Sequence, residues 1–301
     1  MIYTVTFNPA IDYVIQVGGP LRTGTINRTT AEDFQFGGKG INVSGVLKTL
    51  GLPSVALGFV AGFTGQALEQ GLQKQGLTTE LIFVEQGMTR INVKVKGREE
   101  TEINGMGPVI TDRHMAALYE KLDNLQPGDT LVLSGSIPNC LPQDTYERIL
   151  ARLAGRELRI VVDATKDLLV NVLKYRPFLI KPNNHELGEI FGTTPVTDEE
   201  IIACARKLQA MGGRNILVSL AGDGALLLDE TGNSHRIGCP KGQVVNSVGA
   251  GDSMVAGFLA GWLQTGDYGY ALKLGTAAGS ATAFSLGLAD KALIDNLLAT
   301  L

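Results

Sequence analysis

Apolar positions along the chain fall into two rhythms. Short β-branched or aliphatic runs at Ile2–Phe7, Ser54–Val60, Thr130–Leu133, Arg159–Val162, Phe178–Ile180, Asn215–Leu220 and Ala225–Leu228 read as strands. Between them, apolar residues three and four apart predict amphipathic helices over Asn42–Leu50, Gly65–Gln75, Asp112–Leu122, Gln143–Leu153, Asp198–Met211 and Gly251–Leu263. Strands that alternate with helices in this way bury both faces, so the expected fold is α/β, with a mostly parallel sheet between two helical layers.

Two stretches break the rhythm. Asp12 to Phe36 and Arg90 to Gly105 lack helical periodicity, and Arg90-Ile91-Asn92-Val93-Lys94-Val95-Lys96 alternates with period two. That alternation predicts an exposed antiparallel strand with one wet face. Together the two predict a small β-sheet projecting from the main body, a lid that closes over a substrate. There is no repeat, low-complexity tract or Pro/Ser-rich linker. The expectation is therefore one domain over 1–301, with the lid inserted at about 12–36 and 90–105. Leu274 to Ala289 is the most membrane-like stretch, but Gly275, Gly279, Ser280 and Gly287 suit close helix packing in a core better than a bilayer span.

Composition narrows the function. At 301 residues, 44% hydrophobic and 19% charged with 38 glycines, the chain is globular and rich in turns. A net charge of −4 without a basic run argues against nucleic acid as partner, so an anionic substrate must be held by a few local cations. Cys140, Cys204 and Cys239 are odd in number and widely spaced, which indicates neither a disulfide framework nor a zinc site. A reducing cytoplasm is the expected setting. The opening Met1-Ile2-Tyr3-Thr4-Val5-Thr6-Phe7 reads as a strand and not as a secretion signal.

Phosphate chemistry is suggested by Val248-Gly249-Ala250-Gly251-Asp252-Ser253, just ahead of an apolar helical run. Two glycines allow a tight turn that aims successive amides at one point, and the helix start adds its dipole and unpaired donors. An Asp there can take the proton of an attacking hydroxyl, although Asp is also an ordinary helix cap. Three further motifs lie at strand ends or helix starts. Gly37-Gly38-Lys39-Gly40-Ile41-Asn42 joins backbone access to a cation and an amide; a tight turn with a surface lysine is its simpler reading. Ser219-Leu220-Ala221-Gly222-Asp223-Gly224 follows a strand and can expose amides to nucleotide phosphates, or merely turn the chain. In Lys181-Pro182-Asn183-Asn184-His185-Glu186, Asn183 and Glu186 offer oxygen ligands for magnesium, yet Asn followed by Glu three positions later is also a capping box. Walker, dinucleotide, nucleophile-elbow and zinc-protease patterns are all missing.

These motifs, in this order and over nearly the whole chain, resemble the PfkB carbohydrate kinase family of the ribokinase-like fold. The resemblance runs from Thr6-Phe7-Asn8-Pro9-Ala10-Ile11-Asp12 through GGKGIN, Ser134-Gly135-Ser136-Ile137-Pro138 and Asn183-x-x-Glu186 to GAGD. Lys39, together with Thr89-Arg90-Ile91-Asn92-Val93-Lys94, makes the chain most similar to members that phosphorylate D-fructose 1-phosphate; tagatose-6-phosphate kinases are next, and 6-phosphofructokinases follow. The resemblance implies a three-layer fold with a β lid, and in-line transfer from ATP. Asp252 would be the base, with the amides of Gly249, Ala250, Gly251 and Asp252 as anion hole. Asp12, Gly38 and Asn42, with Ser136 nearby, would hold sugar hydroxyls. Lys39 and Arg90, helped by Lys94, would bind the existing phosphate. ATP would lie across Ser219, Gly222 and Gly224 and near Asn183 and Gly251, with Mg²⁺ at Glu186 and Asn183. Thr25 stands near where the 6-phosphofructokinases carry a phosphate-binding lysine, with Arg22 and Arg28 close by. Expected partners are the sugar phosphate and ATP. A second copy meeting the lid's apolar side is one expected assembly; packing of Ile91, Val93 and Val95 on their own domain is the other. A non-catalytic sugar-phosphate sensor is the alternative class, which the presence of Asp252, the loop glycines and Glu186 disfavours.

Overall fold

The computed structural model describes residues 1–301. Strand β1 (Ile2–Thr6) is followed by β2 (Ala10–Val17), β3 (Thr29–Gly37), α1 (Lys39–Thr49), β4 (Ser54–Ala61), α2 (Gly62–Lys74), β5 (Thr78–Val84), β6 (Arg90–Lys96) and β7 (Glu100–Asn104). Next come α3 (Asp112–Asp123), β8 (Thr130–Ser134), α4 (Thr145–Leu153), β9 (Arg159–Asp163), α5 (Lys166–Val170), β10 (Leu179–Ile180), α6 (Asn184–Phe191) and α7 (Asp198–Ala210). The chain ends with β11 (Asn215–Ser219), β12 (Ala225–Leu228), β13 (Ser234–Ile237), α8 (Ala250–Thr265), α9 (Tyr268–Ala283) and α10 (Lys291–Leu298).

Nine strands form the main sheet in the order β13-β12-β11-β10-β9-β8-β1-β4-β5. All neighbours pair in parallel except β11–β12 and β12–β13. Each central strand feeds a core on both faces. Leu131 and Leu133 of β8 pack on one side, and Val132 on the other. This is why these strands read as continuous apolar runs. The expected α/β fold is thus observed, and every predicted strand and helix is present with ends shifted by a few residues. β5, β13, α5 and α10 were not legible, being short, polar or at an edge.

The small-residue stretch behaves as expected. A side chain on Gly275 would come within 2.9 Å of the Met254 carbonyl, so the glycine lets α9 press against α8. No helix is long and apolar enough to cross a membrane.

The two irregular stretches do form a second sheet, in the order β3-β2-β6-β7. One expectation needs correcting. β6 is not an exposed antiparallel strand: it lies inside the small sheet, parallel to β2 and antiparallel to β7, and its polar residues Asn92 and Lys94 are buried. Period-two alternation here separates an apolar face from a polar working face, and neither face is simply wet. At its root the sheet is seated on α2. Phe36 and Ile91 pack on a cluster containing Leu68 and Leu72, and the Phe36 ring fills the space beside Gly71, where any side chain would collide with it.

Candidate active site

The carboxyl ends of the parallel strands gather the chemistry, as open α/β sheets generally do. α8 begins there. Gly249 caps it with φ of 81°, a left-handed conformation that glycine adopts without strain. The amides of Gly251 and Asp252 have no backbone acceptor, whereas that of Ala250 donates to the Ser247 carbonyl at 3.2 Å. Of the amides expected to form an anion hole, that of Ala250 is thus already used. Asp252 is only 5% exposed, and Asn42 Nδ2 donates to its Oδ2 at 2.8 Å. Asn42 reaches it because α1 starts at Lys39, so the GGKGIN asparagine stands on the first turn of that helix.

Gly38 makes this start possible. Its φ is 136°, and a side chain there would sit 2.5 Å from Thr6 Cγ2. Thr6 in turn accepts the Ile41 amide at 3.1 Å. The glycine is thus required for α1 to close on the end of β1.

Beside Asp252 stands a second carboxylate that sequence reasoning did not single out. Asp163 ends β9 buried, and receives Lys39 Nζ at 3.1 Å and Lys181 Nζ at 3.4 Å. Lys181, also without an assigned role beforehand, lies against the first turn of α8: a side chain on Gly251 would be 3.2 Å from its ammonium. A charged residue directly after an apolar strand was the available signal for both, since that is the ligand-binding edge.

The two carboxyls are driven apart. Burial raises Asp252 to about 7, reinforced by the negative charge of Asp163, against the pull of Asn42, Lys39 and Lys181. Burial also disfavours charge on Asp163, but Lys181 and Lys39 outweigh it and hold the group below the usual carboxylate range. For Lys39 burial is outweighed by Asp163, Asp252 and Glu186, leaving its pKa above normal. One acid near neutrality beside one fixed anion is an arrangement suited to proton transfer.

The small sheet supplies the facing wall, through Asp12 and its neighbours. Asp12 faces inward, receiving Asn92 Nδ2 at 2.8 Å and Lys94 Nζ at 3.3 Å. Arg90 donates through Nε to the Asn8 carbonyl at 3.1 Å. Asp12 and Asn42 line one cavity of about 440 Å³, while Asn8 and the exposed Ser136 line another of about 280 Å³. Lys39 and Arg90, expected to act together, have different partners: Lys39 is turned to Asp163 and Arg90 to the root of the lid. Arg22 and Thr25 lie in the exposed β2–β3 connection, where Asn27 bonds back to Arg22.

On the far side, β10 and β11 bring Asn183 and Ser219 into a single parallel bridge. Asn183 Oδ1 accepts the Glu186 amide and Glu186 Oε2 accepts the Asn183 amide, each at 2.8 Å, so the capping box is formed. Gly224, with φ of 93°, lies against the end of β13 at a distance no side chain would permit, whereas Gly222 faces open space. Of the two loop glycines, Gly222 is exposed and Gly224 buried.

The model of the family described as pfkB family carbohydrate kinase matches residues 5–294. The chain belongs to the pfkB family of carbohydrate kinases. It is 47% identical to the 1-phosphofructokinase of Bacillus subtilis over 99% of this chain and 97% of that one. It is 38% identical to the D-tagatose-1-phosphate kinase of Bacillus licheniformis over 98% and 96%. Among solved structures it is similar to Escherichia coli phosphofructokinase-2 in complex with substrates and products, with a TM-score of 0.93, 25% identity and coverage of 100% and 99%. In this member the ends of β9 and β10 and the start of α8 gather Asp163, Lys181 and Asp252.

Proposed function

We propose that this kinase transfers the γ-phosphoryl group of ATP to the C6 hydroxyl of D-fructose 1-phosphate, giving D-fructose 1,6-bisphosphate and ADP. The observation that carries the reading is Asp252: a buried carboxyl with pKa near neutrality, oriented by Asn42 and standing at the amides of Gly251 and the cation of Lys181. The acceptor is supported by the 1-phosphofructokinase relative. It is also supported by the position of Arg90 on the lid, away from the transfer point, where a phosphate at the other end of the ketose would lie.

Asp252 takes the hydroxyl proton as the new bond forms, and the Gly249, Gly251 and Asp252 amides with Lys181 offset charge on the transferred group. Lys39, held by Asp163, serves that same charge and not the sugar's existing phosphate. Asp12 and Asn42 accept from and donate to sugar hydroxyls, Gly38 sets the turn that carries Asn42, and Ser136 faces the second cavity with Asn8. ATP lies along Ser219, Gly222 and Asn183. Magnesium is commonly held by one or two carboxylates together with substrate phosphates. Glu186 keeps Oε1 outside its capping box, which fits that need, while Asn183 is committed to capping through Oδ1. Such an ion would screen the phosphate charges when bound. The small sheet acts as a lid over 12–36 and 90–105 of a single domain, closing to exclude water. Three unpaired cysteines suit a reducing cytoplasm.

The test is ADP release with Mg-ATP, comparing kcat/KM for fructose 1-phosphate, D-tagatose 1-phosphate and fructose 6-phosphate. Preference for fructose 1-phosphate supports the reading. Preference for the tagatose ester, which carries its phosphate on the same carbon, moves the protein to the other relative's activity.

A further inference from the structure

Lys94 is an unusual residue for a small projecting sheet: its side chain is 10% exposed, and its ammonium lies between Asp12 at 3.3 Å and Glu102 at 3.7 Å. Asn92, two residues earlier on the same face of β6, stands directly opposite Asp12 in the parallel register. Its amide nitrogen donates to Asp12 Oδ1, while Lys94 meets Oδ2. Both oxygens of Asp12 are thus gripped by one strand. Without these donors the carboxylate would turn freely, and the cost of burying the lysine is met because two carboxylates face it.

We propose that Lys94 is a positioning residue for the sugar: it does not bind the substrate's phosphate but locks the Asp12 carboxylate, with Asn92, so that its remaining lone pairs face the ketose hydroxyls. This rests on the reading of Asp12 as a hydroxyl ligand. Glu102 completes the device. By drawing the ammonium toward β7 it ties the edge strand to the working face, so β2, β6 and β7 carry Asp12 as one unit. A carboxylate ligated in this way accepts from hydroxyls in a fixed direction, and leaves the ketose's phosphate to Arg90, two residues before Asn92 on the same face of β6.

The experiment is a double-mutant cycle on the full-length protein, reading KM for fructose 1-phosphate, KM for ATP and kcat separately. Lys94→Met is expected to raise sugar KM about 10- to 100-fold with ATP KM within about twofold and kcat less affected. Asp12→Asn is expected to do the same. If Lys94 acts through Asp12, the double variant is no worse than Asp12→Asn alone within about threefold. Additive losses would overturn the proposal, since Lys94 would then be contacting the substrate itself, and so would an unchanged sugar KM. Lys94→Gln, which keeps a donor without the charge, is read in parallel and carries the test if the methionine variant does not fold; Lys94→Arg should recover part of the loss. If Asp12→Asn leaves sugar KM unaltered, the reading of Asp12 fails, a result distinct from failure of the lysine's role.

Discussion

Asp252 sets the behaviour of the site at the scale of a single residue. With a folded pKa of about 7, it is ready to receive a proton only when the medium is at or above neutrality, so kcat/KM should fall on the acid side with an apparent pKa about 7. Asp252→Asn should lower kcat by about 10²–10⁴ with much less change in sugar KM. Stability should move the other way. The folded value lies above an unfolded value of about 3.9, so the folded protein holds an extra proton between the two and loses stability as pH rises through that window. Removing the charge should therefore raise Tm by about 4 °C or more at pH 8, with the gain vanishing near pH 4; scanning calorimetry at the two pH values checks it. Lys39→Ala should act mainly on kcat, because its ammonium is held at Asp163. A rise confined to sugar KM would return Lys39 to the substrate phosphate.

At the scale of elements, the contact between α2 and β3 decides where the lid stands. Gly71 has no side chain, and the Phe36 ring occupies that space. Alanine is the better helix former by about 1 kcal/mol. Here it would push the ring and tilt β3, an overpacking cost of about 1–3 kcal/mol. Gly71→Ala should raise sugar KM several-fold with ATP KM unchanged, as measured by steady-state kinetics. The helix α8 is the counterpart on the main domain. Its positive end is usable because Gly249 turns the chain and Gly257 lets α9 pack closely behind it, so the first-turn amides are fixed and not frayed.

For the molecule as a whole, the lid's outward face raises the question of assembly. Phe34, Tyr13, Val93 and Ile103 are aligned in register across all four strands, with Phe34 and Tyr13 stacked at 4.7 Å. Phe34 is 58% exposed and Ile103 62%, although the same face nearer the root is covered by α2. We propose that two copies of this chain pair through this row. Sedimentation should give a dimer, and Ile103→Glu should shift it toward monomer and raise sugar KM; a native monomer would reject the pairing.

What was legible in the sequence was whatever periodicity and local turn chemistry control. The central strands had to be buried on both faces because Leu131, Val132 and Leu133 leave no polar side, and that alone selects a parallel, helix-covered sheet. Gly249 and Asp252 announced a helix start with a carboxyl on its first turn, since the backbone permits few other uses of that pattern. Tertiary structure decided the partners. Asp163 and Lys181 come together only because β9 and β10 are neighbours, and nothing in their separate neighbourhoods encodes that adjacency. The same holds for Asp12 with Lys94, joined by a parallel register between strands far apart in the chain. Spacing along a chain determines which way each side chain leaves the backbone. Which charges meet, how dry their surroundings are, and hence which carboxyl is poised near neutrality, depends on distance and burial, and these exist only after the sheet has assembled.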